Sequence, residues 1–336
     1  MSFEWDGTEV PASSAAMFEI PVCTMASGFQ LTLAVHAVAG KRSGPVTLVA
    51  CGSHGEELWS SEFCRLLKSR LIRDGYDFSG TILLAPVLNP HSFESGTRNT
   101  PIDFHNLNRV FPGSALGKNW FTDVLAGVIA EKILPRADFI FDYHGGGSDT
   151  VIHYHYTVDP AASARNAVIH AVARASGAEV LWEHNEQRGT LSNCGDQLGK
   201  TCFVVETGGG GLILDQGYFE KAYSDFLNML KVIEVVEGEP DLSAARIVVR
   251  KGTSLRPSHG GTFVPVCGLD IMGKSLTKGT VLGRVVSPYT FEILDEIKAP
   301  FDKTEVMMIR NRISKVHPGE YAYIIGDGDS GYDPRA

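Results

Sequence analysis

Four short apolar runs constrain this chain more than any other feature. They are Val46 to Cys51 (VTLVAC), Gly80 to Val87 (GTILLAPV), Asp138 to Tyr143 (DFIFDY) and Thr201 to Val205 (TCFVV). Each is continuous rather than alternating, which is what a parallel strand covered on both faces requires. Between them lie segments of helical spacing. Glu56 to Arg73 carries Leu58, Phe63, Leu66, Leu67 and Leu71. Asn119 to Leu134 reads as a second helix, and Tyr218 to Val236 is amphipathic. A further helix is predicted to start at Asp159-Pro160, an N-cap followed by a first-turn proline, and to stop after Ser176 at Gly177. Strands alternating with helices give an α/β fold with a mixed, mostly parallel sheet flanked by helices. Phe29 to Val38 adds a further strand candidate, while Leu88 to Lys118 has little periodicity, and a loop of that length is usually functional.

The pattern changes after Glu237-Gly238-Glu239-Pro240. Residues 247 to 326 hold strand-like pieces and turns without a helix. Two stretches, Gly268 to Val286 and Arg312 to Gly326, are weak copies of each other, each a strand, a KG or PG turn and another strand. The expected organisation is a domain over residues 1–240 and a small all-β domain over 241–336, with a loose tail from Asp327 to Ala336.

Composition excludes several classes of function. With 30 Lys plus Arg against 39 Asp plus Glu, the 336-residue chain carries a net charge of −9, the wrong sign for gripping nucleic-acid phosphates. No apolar stretch approaches the ~18 residues of a membrane helix, and Met1 to Ala16 lacks the basic and apolar regions of a signal peptide. The six cysteines are scattered, with no CxxC pair, so no disulfide framework is expected. The expectation is a cytoplasmic protein whose partner is a small molecule rather than nucleic acid or membrane, with a homo-oligomer left open.

The chemistry lies where the strands end. Val46 to Cys51 runs into Gly52-Ser53-His54-Gly55-Glu56-Glu57, Asp138 to Tyr143 into His144-Gly145-Gly146, and Thr201 to Val205 into Glu206, Thr207 and four glycines. Ligands of open α/β sheets bind outside the carboxyl ends of the strands. Three strands therefore deliver His54, Glu57, His144 and Glu206 to one edge. Two imidazoles and one carboxylate make a catalytic Zn²⁺ set that keeps a position for water, and a second carboxylate is then free for proton transfer. The loop between the second and third runs adds Arg98 and Arg109, able to grip carboxylates or oxyanions. His153 and His155 alternate with Tyr154 and Tyr156 on a strand, one pair facing the core. His184, Glu186 and Arg188 form a polar loop within reach of a substrate, and Asp142 can orient an imidazole. The glycines at 208 to 211 are not a P-loop, since no Lys-Ser/Thr follows.

The GxHGxE run at Gly52 to Glu57, NLNRVFPG at Asn106 to Gly113, DYHGG at Asp142 to Gly146 and VETGGG at Val205 to Gly210 resemble the succinylglutamate desuccinylase/aspartoacylase family. These enzymes are zinc-carboxypeptidase-like, and the likeness extends over roughly residues 20 to 330. The resemblance implies that His54, Glu57 and His144 bind one Zn²⁺ per chain and that Glu206 activates the metal-bound water. It further implies that Asn108 and Arg109 hold a substrate carboxylate and that Arg98 polarises the scissile carbonyl. The C-terminal domain would be the barrel-sandwich-like one of this family. Gly-Thr-Arg at 96 to 98 and Asn-Leu-Asn-Arg at 106 to 109 look most like the N-acetyl-2,4-diaminobutyrate deacetylase branch, whereas aspartoacylase-like members commonly have Asp where Asn106 stands. The implied reaction is hydrolysis of an N-acyl amino acid. The rival readings are a peptide carboxypeptidase with the same chemistry, and a non-catalytic small-molecule binder.

Overall fold

In the computed structural model, which describes residues 2–184, 187–209 and 216–336, the four apolar runs lie side by side at the centre of one sheet. A short antiparallel ribbon, β1 (Phe3–Trp5) and β2 (Thr8–Val10), precedes them. The first half continues with β3 (Ser14–Thr24), β4 (Gln30–Ala39), β5 (Arg42–Ala50), α1 (Leu58–Arg73), β6 (Ser79–Ala85), α2 (Pro90–Ser95) and α3 (Phe121–Val128). Next come β7 (Phe139–His144), β8 (Thr150–Thr157), α4 (Ala164–Arg174), β9 (Val180–Glu183), α5 (Leu191–Gln197), β10 (Thr201–Gly208) and α6 (Gln216–Val232). The last third is built of β11 (Ile247–Val249), β12 (Gly252–Leu255), β13 (Gly261–Pro265), β14 (Ser275–Leu276), β15 (Val281–Val286), β16 (Ile293–Lys298), β17 (Thr304–Arg310), β18 (Ser314–Val316) and β19 (Tyr323–Asp327).

The central strands run in the order β10-β7-β5-β6, all parallel. Antiparallel strands extend the sheet on both sides, β4 and β3 beyond β6, and β8, β17, β19 and β12 beyond β10. Period-two alternation sorts the side chains onto two faces. Leu48, Ala50 and Ile140 face α3 and α5, packing with Leu125, Ile129 and Leu191. Val49, Phe141 and Phe203 face α1 and α6, packing with Phe63, Leu67 and Phe226. The result is three layers, helix on sheet on helix, as the alternation of runs and helices predicts. No helix among the described residues is long and apolar enough to cross a membrane.

The two weak copies after residue 260 share one design. Each has a strand, a glycine turn (Gly279 at φ +86°, Gly319 at φ +84°) and a second strand in a different sheet. β14 and β19 join the large sheet, whereas β15 and β18 belong to a separate four-stranded antiparallel sheet with β13 and β16. The large sheet thus runs unbroken from β8 into β17, with Met308 opposite Ile152.

Three local expectations change. The helix expected from Asp159 begins later, at Ala164, because Ser163 caps it by accepting from the Asn166 amide, while Asp159 closes a turn onto Ala161 N. The segment from Asn119 keeps an α-helix only to Val128 and then loosens into a π-turn over Ile129–Ile133. The tail is docked rather than loose: Tyr332 pairs with Val248, donates to Glu183 Oε2 at 3.2 Å and lies under the Arg250 guanidinium.

Candidate active site

The loop after β5 must bring a histidine and a glutamate back toward the sheet within a few residues. Gly55 allows it: a Cβ there would lie 1.9 Å from the Ser92 carbonyl oxygen, so only glycine lets the loop rest on α2. Glu57 then occupies the N-cap position of α1, yet its side chain makes no capping bond. Its carboxylate turns into the site instead.

There Glu57 Oε1 meets His54 Nδ1 at 2.8 Å, and Oε2 meets His144 Nδ1 at 3.0 Å. Gly145 N–H donates to Oε2 at 3.2 Å. His54, Glu57 and His144 are all buried, and their candidate ligand atoms lie within 4.8 Å of one another. The far ring nitrogens are engaged as well. His54 Nε2 lies 3.1 Å from Asn106 Oδ1, and His144 Nε2 lies 3.3 Å from Asp142 Oδ1. Asp142 is 1 % exposed, and its carboxylate oxygens have no other hydrogen-bond partner among the described residues. A proton on His54 Nε2 satisfies Asn106 and leaves the His54 Nδ1 lone pair directed at the space beside Glu57. Two imidazoles and one carboxylate brought together in this way fit a divalent metal of the zinc type.

Burial would raise Glu57, but His54 and His144 hold it well below the usual carboxylate range. Burial lowers His54 despite Glu57. His144 is lifted well above an ordinary imidazole, burial being outweighed by Asp142 and Glu57.

Glu206 stands opposite His144 in the parallel register of β10 on β7. It lines the cavity with Cys202 and Val204, every second residue of its strand. Burial pushes its carboxyl up to about 8, with Glu57 and Asp142 adding to the rise and His144 and Arg98 opposing it. The turn that follows packs against α1, where a Cβ on Gly208 (φ +82°) would lie 2.1 Å from the Trp59 ring.

The loop after β6 supplies the polar lid of the site. Arg98 donates to Glu57 Oε1 at 3.1 Å and lies 3.8 Å from Glu56. Asn108 is buried, its Oδ1 accepting from Leu191 N at 2.7 Å and its Nδ2 lying 3.0 Å from His144 Nε2. Arg109 donates to the Asn108 carbonyl at 2.6 Å and turns the rest of its guanidinium into the cavity. All seven residues expected at the site therefore line one cavity of ≈ 610 Å³.

Other expectations sort by face. Tyr154 and Tyr156 line the cavity, joined by a 3.1 Å hydroxyl contact, while His153 and His155 point to the opposite, core face of β8. His184 reaches the cavity and packs edge-on against Tyr156; Arg188 is not among the lining residues. Glu186, Gly210 and Gly211 lie outside the described residues.

Sequence reasoning missed three contributors. Asn106 backs His54 and also accepts from Asn108 N at 2.9 Å. Tyr321, on the turn before β19, enters the cavity near Arg98 and Arg109. Arg310, only 6 % exposed, holds that turn by bonding the Tyr321 carbonyl at 3.1 Å and Glu320 at 3.1 Å. Only the NLNR spacing offered a signal for Asn106; nothing local marks the other two.

A three-layer α/β sheet with a His-Glu-His cluster at its carboxyl edge defines the class, and comparison with known proteins names it. The family model described as the succinylglutamate desuccinylase/aspartoacylase catalytic domain matches residues 43–233, and the chain belongs to this family of deacylases. The chain is 24% identical, over 85% of its length and 82% of the relative's, to an N-alpha-acetyl-L-2,4-diaminobutyric acid deacetylase of Halomonas elongata. An aspartoacylase family protein of Mesorhizobium loti is 26% identical with a TM-score of 0.76 over 97% of each chain. The product-bound ectoine utilization protein EutE (DoeB) of Ruegeria pomeroyi has the same fold, at 21% identity and a TM-score of 0.76 over 93% of this chain and 95% of that one.

Proposed function

We propose that this chain is a zinc-dependent hydrolase that cleaves the amide bond of a small N-acyl amino acid. The observation that carries the reading is the convergence of His54, Glu57 and His144 beside Glu206 in one cavity that also holds Arg98 and Arg109. His54, Glu57 and His144 would hold one Zn²⁺ per chain. When bound, the ion supplies Lewis acidity, lowering the pKa of a water and polarising the acyl carbonyl.

The protein's own groups do the rest. Arg109 grips the α-carboxylate through its free N–H groups, and Asn108 adds its second amide hydrogen. Arg98, drawn toward Glu57, presents a fixed positive charge where oxyanion character develops. Glu206 takes the proton of the attacking water on its carboxylate and returns it to the leaving nitrogen, and burial suits it to both acts by raising its basicity. Residues 1–240 act as the catalytic domain, and residues 241–336 as a β domain that walls the cleft through Tyr321. That wall favours small acyl amino acids over peptides. No disulfide joins any of the six cysteines, which suits a reducing compartment such as the cytoplasm.

The test is a deacylation panel on zinc-loaded protein, comparing N-acetyl and N-succinyl amino acids, Nα-acetyl-2,4-diaminobutyrate among them, with short peptides. Turnover of acyl amino acids that is abolished by chelation and restored by Zn²⁺ is expected. Faster cleavage of peptides, or turnover indifferent to chelation, overturns the reading.

A further inference from the structure

Glu57 has two kinds of cation to serve. Its carboxylate is the acidic member of the His-Glu-His cluster, and its Oε1 also accepts from Arg98 Nη1 at 3.1 Å. A guanidinium carries a permanent charge, so it repels a metal ion that shares its carboxylate and draws electron density from the oxygen both use. The Glu57 side chain is only 5 % exposed, so water and salt screen little of this repulsion. An arginine in this position costs the cluster metal affinity unless another anion takes up part of its charge.

Glu56 is placed to do so. Its Oε1 lies 3.8 Å from Arg98 Nη1, the same nitrogen that donates to Glu57. The backbone builds in this approach. Gly55 N–H donates to the Thr97 carbonyl at 2.9 Å. Ser92 Oγ clamps both ends of that contact, accepting from Gly55 N at 2.9 Å and donating to the Thr97 carbonyl. Glu56 and Arg98 each follow one partner of the bond, so the two segments deliver them side by side. The Glu56 carboxylate rests over Gly147, where a Cβ would lie 3.4 Å from its Cδ. Its side chain is 34 % exposed against 5 % for Glu57, so it draws the guanidinium toward solvent and away from the cluster. The other carboxylates near these groups are committed. Glu206, in the field of Arg98, is assigned to proton transfer, and Glu320, in the field of Glu56, is paired with Arg310 at 3.1 Å.

We infer that Glu56 is a positioning residue for the metal centre: it shares the Arg98 guanidinium with Glu57 and so leaves the Glu57 carboxylate available to a divalent cation while keeping Arg98 at the cavity. The effect of Glu56 passes through Arg98. The inference rests on the zinc reading of the cluster and adds a residue outside the ligand set.

The experiment measures zinc affinity, by competition with a chromophoric chelator, in wild type, E56Q, E56D, R98M and the double variant E56Q/R98M. E56Q is expected to weaken zinc binding by about tenfold, the lower end of what outer partners of a metal site supply. E56D keeps the charge and retains most of the affinity. R98M removes the competing cation, so adding E56Q to it changes the affinity by less than about twofold. Equal affinity in wild type and E56Q overturns the inference. The same loss in both backgrounds also overturns it, since Glu56 would then act by its own field or by holding the loop. If wild type itself binds no zinc, the metal reading fails and this inference falls with it, whereas the two preceding outcomes strike this inference alone.

Discussion

His144 and Glu206 are direct neighbours across the β7–β10 ladder, paired in parallel register with their side chains on the same face. A slip of one residue would send Glu206 to the opposite face, so the backbone ladder itself holds the proposed proton carrier beside a proposed metal ligand. Because the placement comes from the sheet, exchanging the side chain's chemistry should leave the site's shape intact.

Glu206→Gln is therefore expected to keep its zinc and lose about 10²- to 10⁴-fold in kcat, the range general acid–base groups supply. Metal analysis alongside steady-state kinetics checks this. Near-normal turnover with zinc retained removes Glu206 from the role.

Asn106 backs the proposed metal ligand His54. Asn106→Ala should weaken zinc affinity by about 10- to 100-fold, as loss of an outer hydrogen-bond partner does. Asn106→Asp keeps the accepting oxygen and should retain most of that affinity. Competition with a chromophoric chelator measures both, and equal affinity in the alanine variant would show that His54 needs no such partner.

Arg109→Lys keeps the charge but loses the planar fork. KM should rise by about tenfold with kcat little changed, and further in Arg109→Met. A fall in kcat at constant KM would place Arg109 at the scissile bond rather than at the carboxylate.

Phe63 is fully buried between the sheet and α6, against Tyr143, Phe219 and Phe226. Phe63→Ala should cost about 3–5 kcal/mol of folding stability, read by chemical denaturation of the chain. A loss under 1 kcal/mol would mean that the helix layer closes over the cavity.

His153 lies on the core face of β8, where burial and then Lys221 depress its imidazole to about 4. The folded chain thus holds it neutral while the unfolded chain protonates it near 6.5. Its contribution is complete above the unfolded value and is lost as pH falls from about 6.5 to about 4, up to about 3 kcal/mol. His153→Asn should flatten the stability–pH profile in that window. An unchanged slope would assign the acid sensitivity to other groups.

How much of this was legible in the sequence depended on distance along the chain. His54, Glu57, His144 and Glu206 each follow an apolar run by a few residues, so a short local pattern placed them on one sheet edge. β3 was missed because an edge strand exposed on one side reads as polar alternation, with Ser14, Glu19 and Thr24 among small apolar residues. Ser163 displaced Asp159 as a helix cap because both are good caps four residues apart, and spacing alone does not rank them. Tyr321 and Arg310 reach the cavity through the pairing of β17 with β8, and no local signal reports a contact between residues 308 and 152.

That pairing also sets the order in which the chain can become active during its synthesis. The His-Glu-His cluster and Glu206 have all been translated by residue 206, with their sheet neighbours already available. The wall that carries Tyr321 and Arg310 is among the last parts to emerge, and it seats by a long-range contact of the slow-forming kind. A nascent chain can therefore hold the reactive groups well before it has a closed cleft. On the proposed function, the cleft that selects a substrate closes only once the C-terminal strands have joined the sheet.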